Sequence, residues 1–218
     1  MLPKIGHKQS LSEHAYVVIK EAILNNMFKP KDILLEESIA EMLGVSRTPL
    51  RTALKRLEFE KLLVINSSKQ AVVAEIQPED MVKVFVFRLA VEPVLARTAC
   101  NHVAGEDIAR IEDCLARNKV AITDRNLIDI IACELEFDNL IAGCADNGFL
   151  TDSIAMIHSY LQRFLTLSTT TYSDAPDSLH EHGLILDALK VRDGALAEER
   201  TMHHVRQVAL RLGFTLPI

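Results

Sequence analysis

Apolar side chains recur every three to four residues from near the start of the chain, and that rhythm predicts helices. Over 11–27, Ala15, Val18, Ile19, Ala22 and Ile23 share one face, so the segment reads as an amphipathic helix. Lys29-Pro30-Lys31-Asp32 breaks it. A short helix is expected from about 36 to 43, with Gly44 placed as a left-handed C-cap. Ser46 is positioned to cap the next helix, and Pro49 falls near its first turn, where a missing N–H costs least. That helix runs to about 61. Two β-rich runs, 62–66 and 71–75, flank a polar turn at 67–70 and predict a hairpin.

After Gln77-Pro78 the rhythm changes to long helices, expected over 79–103, 105–121, 126–143, 147–171, 178–192 and 194–213. Their breaks fall at Gly105, Thr123-Asp124, Asn147-Gly148, Asp174-Ala175-Pro176 and Asp193-Gly194. The pattern implies a mainly α protein with two domains. Residues 1–77 form a winged helix–turn–helix, and residues 78–218 an all-α helical bundle. In such a head the second helix of the pair lies in the major groove of DNA.

Composition supports this division. The chain is 49% hydrophobic but only 5% aromatic, with no Trp, a balance that favours helices. No apolar run reaches the roughly 18 residues of a membrane span, and the start lacks a signal-peptide pattern. A cytoplasmic location is expected, without a membrane partner. Cys100, Cys114, Cys133 and Cys144 form no Cys-x-x-Cys pair and sit among apolar residues, which predicts buried, reduced thiols. The net charge of −6 is unevenly spread: residues 1–75 hold 11 Lys+Arg against 9 Asp+Glu, the remainder 13 against 21. A weakly basic head and an acidic body suit a protein whose first domain meets nucleic acid.

Arg47 and Arg51 lie four apart on one face at the start of the second helix of the pair, where guanidinium groups can reach guanine or clamp phosphate. Ser46 and Thr48 can bond phosphate at the same helix N-terminus, and Lys69 on the wing can contact the DNA backbone or minor groove. Lys55 and Arg56 lie a turn further on. In the second domain, Glu134 and Asp138 project from one face of a helix whose neighbours Ile130, Ile131, Leu135 and Ile141 are apolar, so both acids need a partner. His182 and His204 lie 22 residues apart. A helical His/Asp/Glu site also admits a metal-dependent hydrolase, although no nucleophile or phosphate-cradling Gly-rich loop accompanies it.

The run Gly-Val-Ser-Arg-Thr-Pro-x-Arg-x-Ala-Leu at 44–54 resembles the GntR superfamily of transcriptional regulators. Ile23-Leu24, Pro30, Leu34-Leu35-Glu36, Ile39-Ala40 and Leu57-Glu58 extend the likeness through the head. Arg88-Leu89-Ala90-Val91-Glu92, Phe137, Asn147 and Glu181-His182 carry it into the branch whose C-terminal domain is of the helical FCD type. The chain departs from the pattern at Lys31 and Lys61, where the family often has Gly. It also departs at the wing turn Ser68-Lys69-Gln70, which has no Gly, and at Glu37, a position often basic in relatives.

The resemblance implies a homodimer that binds a double-stranded operator and senses a small carboxylate effector. It implies a divalent metal (Zn²⁺, Mn²⁺, Fe²⁺ or Ni²⁺) held by Glu134, Asp138, His182 and His204. The first two stand where relatives carry Asp and His, and an all-carboxylate pair favours harder cations. Arg88 and Arg163 match effector-anchoring arginines, with an i,i+4 pair to Glu92 as the rival role for Arg88. His158, His180 and His203 lack the register and are expected to be exposed or structural. A DNA-binding dimer with a degenerate, non-sensing pocket is the remaining alternative.

Overall fold

The first helix begins where Ser10, in extended backbone, accepts the Glu13 N–H on its hydroxyl. This helix, α1 (Leu11–Leu24), turns Ala15, Tyr16, Ile19 and Ile23 inward. In the computed structural model, which describes residues 10–168 and 171–217, the chain forms two compact units divided after Glu75.

The first unit continues with β1 (Ile33–Leu34), α2 (Glu36–Leu43), α3 (Arg47–Phe59), β2 (Leu63–Ile65) and β3 (Ala71–Val73). Ile19 and Ile23 of α1, Leu50 and Leu57 of α3, and Leu62 and Leu63 form its fully buried centre. The sheet is antiparallel in the order β1-β3-β2, with Val72 opposite both Ile33 and Val64. The pairing of β2 with β3 is the expected hairpin. The two-residue β1 is an addition, too short to carry an alternating pattern of its own. Glu60, capping α3, accepts hydrogen bonds from Tyr16 Oη and Lys20 Nζ, both at 2.7 Å, and so ties the end of α3 to α1.

Backbone geometry explains what the missing glycines do. Gly44 closes α2 at φ 63°, and the Val45 N–H reaches back to the Ala40 carbonyl. Lys31, Lys61 and Lys69 adopt the same left-handed region, at φ 76°, 60° and 60°. The fold therefore keeps the turns that glycine usually makes and carries their strain on lysine. Ser46 stands at the N-cap of α3 in extended backbone, but its side chain makes no capping hydrogen bond, contrary to expectation.

The second unit consists of six described helices: α4 (Pro78–His102), α5 (Gly105–Thr123), α6 (Leu127–Cys144), α7 (Gly148–Leu167), α8 (Thr171–Lys190) and α9 (Gly194–Arg211). One correction matters for function. The expected break at Asp174-Ala175-Pro176 does not occur, because the chain leaves α7 after Leu167 and α8 runs on through Pro176. Pro176 is the sixth residue of α8, inside the helix, where it removes the bond to the Tyr172 carbonyl without ending the helix. His182 consequently lies about three turns into its helix and not in the first. All four cysteines are buried and free.

Among the described residues, every buried polar or charged side chain belongs to this second unit, with Arg88, Glu92, His158, Arg163, Glu181, His182 and His204 among them. The head is held by an apolar core. The body encloses ionisable groups.

An L-residue in the left-handed region costs about 1–2 kcal/mol relative to glycine, part of which glycine returns as unfolded-state entropy. Lys61 is exposed and follows the α3 C-cap, so Lys61→Gly is expected to raise the head's unfolding free energy by about 0.5–1 kcal/mol. Urea unfolding of the two forms measures this, and a less stable Gly variant would contradict the account.

Candidate functional site

The start of α3 is an exposed run. Ser46, Arg47, Thr48 and Arg51 all face solvent, as does Lys69 on the turn between β2 and β3. Two partners escaped the sequence reading. Arg51 Nε donates to both carboxylate oxygens of Glu36 (2.8 and 3.1 Å), and Arg47 Nη2 donates to Glu37 Oε1 (3.1 Å). Both acids lie in the first turn of α2, where they also favour the helix dipole. Exposed pairs of this kind are worth about 0–1 kcal/mol, so exchanging them for a phosphate or base costs little.

The body site is built from α4, α5, α6, α8 and α9. Arg88 on α4 donates through Nε and Nη2 to the two oxygens of Glu92, one turn on, and its Nη2 lies 3.4 Å from Asp138 Oδ2 on α6. Arg88 therefore makes the i,i+4 pair with Glu92 that was the rival to an effector-anchoring role. Glu134, one turn before Asp138, accepts from Asn118 Nδ2 at 2.9 Å and from Ser178 Oγ at 2.6 Å. His182 of α8 and His204 of α9 bring their Nε2 atoms to 3.2 Å, and His182 Nε2 lies 3.9 Å from Glu134 Oε2. The His182 ring stacks on Phe137 with centroids 3.9 Å apart.

Glu181 fixes the other edge of His204. Its Oε2 lies 2.8 Å from His204 Nδ1, and Arg211 donates to both of its oxygens at 2.6 and 2.9 Å. Burial pushes the Glu181 carboxyl up, but hydrogen bonds from Arg211 and then His204 outweigh it and hold the group down at about 2. An ionised carboxylate only accepts, so the neutral His204 carries its proton on Nδ1 and turns the Nε2 lone pair toward His182. A carboxylate behind a ligating imidazole is the usual support of a metal-binding histidine.

Burial sets the remaining charges. It pushes His204 down to about 4, with His182 adding to the effect, and pushes His182 down to about 3, with Arg88 adding. Asp138 is driven well above the usual carboxylate range, by burial first and then by Glu92 and Glu134. Arg88 keeps its proton, because Glu92 and Asp138 outweigh its own desolvation.

These residues test the expected metal site. Around a tetrahedral Zn²⁺ with 2.0–2.1 Å bonds, two ligating nitrogens lie roughly 3.3–3.4 Å apart, close to the observed gap between His182 and His204. The donor types fit a divalent cation, and Glu134 stands slightly wide of the pair. Asp138 is turned toward Arg88 instead. Among the described residues no three His, Cys, Asp or Glu side chains already close on one point.

A small cavity of about 40 Å³, partly open to solvent, borders this cluster. Arg88, Glu134, Asp138, Asp174, Ser178 and Arg211 supply its polar wall, and Ile130, Leu161, Leu165 and Val208 are among its apolar lining. Arg163, expected as an effector anchor, is buried on α7 and is not part of this wall. His158, set aside on register, is also buried on α7, with Nε2 3.8 Å from Asp138 Oδ2, whereas His180 and His203 are exposed.

Sequence adjacency offered a hint of Glu181 beside His182, and the i,i+4 spacing a hint of Ser178. Nothing in the local pattern pairs Glu181 with Arg211, which lies 30 residues on.

A winged head with arginines on the second helix of its helix–turn–helix pair, together with a cavity-bearing helical body, defines a DNA-binding transcriptional regulator. The chain belongs to the bacterial regulatory proteins of the gntR family, in the branch with an FCD domain: the gntR family model matches residues 11–73 and the FCD domain model residues 83–207. It is similar to the HTH-type transcriptional repressor RspR of Escherichia coli K12, at 24% identity over 94% of this chain and 90% of that protein. It is also similar to a probable D-xylose utilization operon transcriptional repressor of Paenarthrobacter nicotinovorans, at 28% identity over 78% of this chain and 74% of that protein. Among solved structures, E. coli McbR/YncC shares the fold with a TM-score of 0.82 at 21% identity, covering 93% of this chain and 97% of that one. The family consists of regulators, so the hydrolase alternative falls. No helix among the described residues is long and apolar enough to cross a membrane.

The depressed imidazoles make stability pH-dependent in the metal-free protein. His158, His182 and His204 stay neutral in the fold down to about 4, 3 and 4, whereas the unfolded chain protonates them from about 6.5. Through these imidazoles the unfolded state binds more protons between those limits, and stability falls as pH falls through that window, the single raised Asp138 carboxyl offsetting only part of it. Each imidazole contributes a slope of about 1.4 kcal/mol per pH unit. Glu181, held at about 2, adds a further loss below about 4.5. Urea unfolding of chelator-treated protein should give a lower unfolding free energy at pH 5 than at pH 7. Equal values would show that the imidazoles are not neutral and buried.

Proposed function

We propose that this regulator binds a pseudo-palindromic operator as a homodimer and acts as a repressor whose DNA affinity is set by a small organic acid. The names of its relatives RspR and the D-xylose operon repressor support the sign of regulation. Arg47 and Arg51 read base edges in the major groove, Ser46 and Thr48 bond flanking phosphates, and Lys69 of the wing reaches the backbone or minor groove. The pairing of operator half-sites follows from two-fold symmetry of the dimer.

The observation that carries the sensing half is the convergence of His182 on His204, which lines a cavity together with Glu134 and Asp138. Glu134, His182 and His204, with Asp138 once it parts from Arg88, would hold a divalent cation such as Zn²⁺, Mn²⁺, Fe²⁺ or Ni²⁺. When bound, the cation supplies a positive charge with open positions for a ligand carboxylate. Glu181 orients His204, Asn118 and Ser178 hold Glu134, and Arg88 holds Asp138. A ligand that binds one arrangement of the body better than another shifts the population, with coupling of about 1–3 kcal/mol. Displacing the Arg88–Asp138 contact is one such local change.

The test is operator affinity by fluorescence anisotropy, on an operator recovered by selection from random DNA. Arg51→Ala is expected to weaken binding by about 1–3 kcal/mol. A manganese-loaded wild type should change affinity on adding a panel of organic acids. Unchanged binding by Arg51→Ala removes the assigned reader. No response to any acid, with or without metal, leaves a dimer with a degenerate pocket.

A further inference from the structure

The two acids that open α2 hold the arginines of α3 by different atoms. Arg51 is held at Nε, whose single N–H lies 2.8 and 3.1 Å from the two oxygens of Glu36. Among the described residues, its Nη1 and Nη2 have no hydrogen-bond partner. Arg47 is held at Nη2, 3.1 Å from Glu37 Oε1, and the second oxygen of Glu37 takes no part. The Glu36 side chain is 36% exposed, against 82% for Glu37. The first pair is seated, and the second stands in solvent.

A guanidinium reads guanine by giving two hydrogen bonds at once, to O6 and N7. In Arg51 the forked end that bears Nη1 and Nη2 is free for this. Glu36, behind the fork, fixes the direction of the side chain and does not have to leave. Ordering a long, flexible side chain opposes binding, and one already held loses less freedom. In Arg47 the forked end is blocked at Nη2, so a contact made through it displaces Glu37. A phosphate then replaces one anion by another and gains little. Both pairs are weak enough to exchange, but only the second has to.

We propose that Glu36 and Glu37 act in opposite ways on DNA recognition. Glu36 is a positioning residue that presents Arg51 to a guanine, and Glu37 is a mask that weakens the hold of Arg47 on DNA of arbitrary sequence. This inference rests on the reading of Arg47 and Arg51 as the DNA readers and adds the residues that tune them. Were both acids merely repelled by phosphate, neutralising either one would tighten binding to every sequence alike.

The experiment is fluorescence anisotropy of the full chain on the selected operator, on its single-base variants and on random-sequence DNA, across a salt series. Arg51→Ala first identifies its own base pair, as the position where a substitution no longer changes affinity. At that pair Glu36→Ala should lower the discrimination of the wild type about fivefold, the top of the range for an exposed pair. Glu36→Gln keeps an acceptor for Nε and should restore part of it. A merely structural role would weaken binding to all sequences and leave that ratio unchanged. Glu37→Gln should keep the ratio, bind random-sequence DNA about threefold more tightly and steepen its salt dependence by about one released ion. The inference is overturned if Glu36→Ala discriminates as the wild type does, or if Glu37→Gln leaves random-sequence affinity and salt dependence unchanged. If Arg51→Ala keeps every base preference, the assigned reader falls and this inference with it.

Discussion

Carboxylates and imidazoles inside a helical bundle are costly unless each finds a partner, and the body of this regulator is arranged around that constraint. Five helices contribute to one polar network in which Arg88 answers Glu92, Arg211 answers Glu181, and Asn118 and Ser178 answer Glu134. What remains is deliberate-looking only in its residue: neutral imidazoles whose Nε2 atoms meet, and carboxylates with too few cations. A fold that needed only a dimer scaffold would bury leucine there.

The head follows a different logic. Its core is apolar, its readers are exposed, and its charged pairs are of the weak surface kind. Arg47 and Arg51, the proposed DNA readers, carry guanidinium groups in weak pairs that exchange partners readily. Glu36 and Glu37 temper the positive face of α3, in keeping with a head that is only slightly basic. Affinity then depends on the fit of a few base and phosphate contacts more than on bulk attraction.

The elements with strong local signals were legible in the sequence: the capping glycine at 44, the arginine spacing on α3, the hairpin, and the helical rhythm of the body. The misses have physical causes. Pro176 reads as a break, yet α8 begins at Thr171 and runs through it, which carries His182 deeper. β1 exists only through its pairing with β3. His158, Glu181, Arg211 and Asp174 belong to the site because three helices bring them there, and no periodicity links positions 30 or more residues apart. Lysines at 31, 61 and 69 show the converse case, where the backbone conformation persists although the residue that favours it is gone.

The central claim is that the body's unmatched carboxylates and paired imidazoles form a seat for one divalent cation. Calorimetric unfolding of the chelator-treated chain at pH 7, titrated with Mn²⁺ or Zn²⁺, tests it most directly. The account predicts a saturable rise in the body's unfolding temperature at one ion per chain, weakened by His204→Ala. An unfolding temperature that ignores both ions up to saturating concentrations would contradict it.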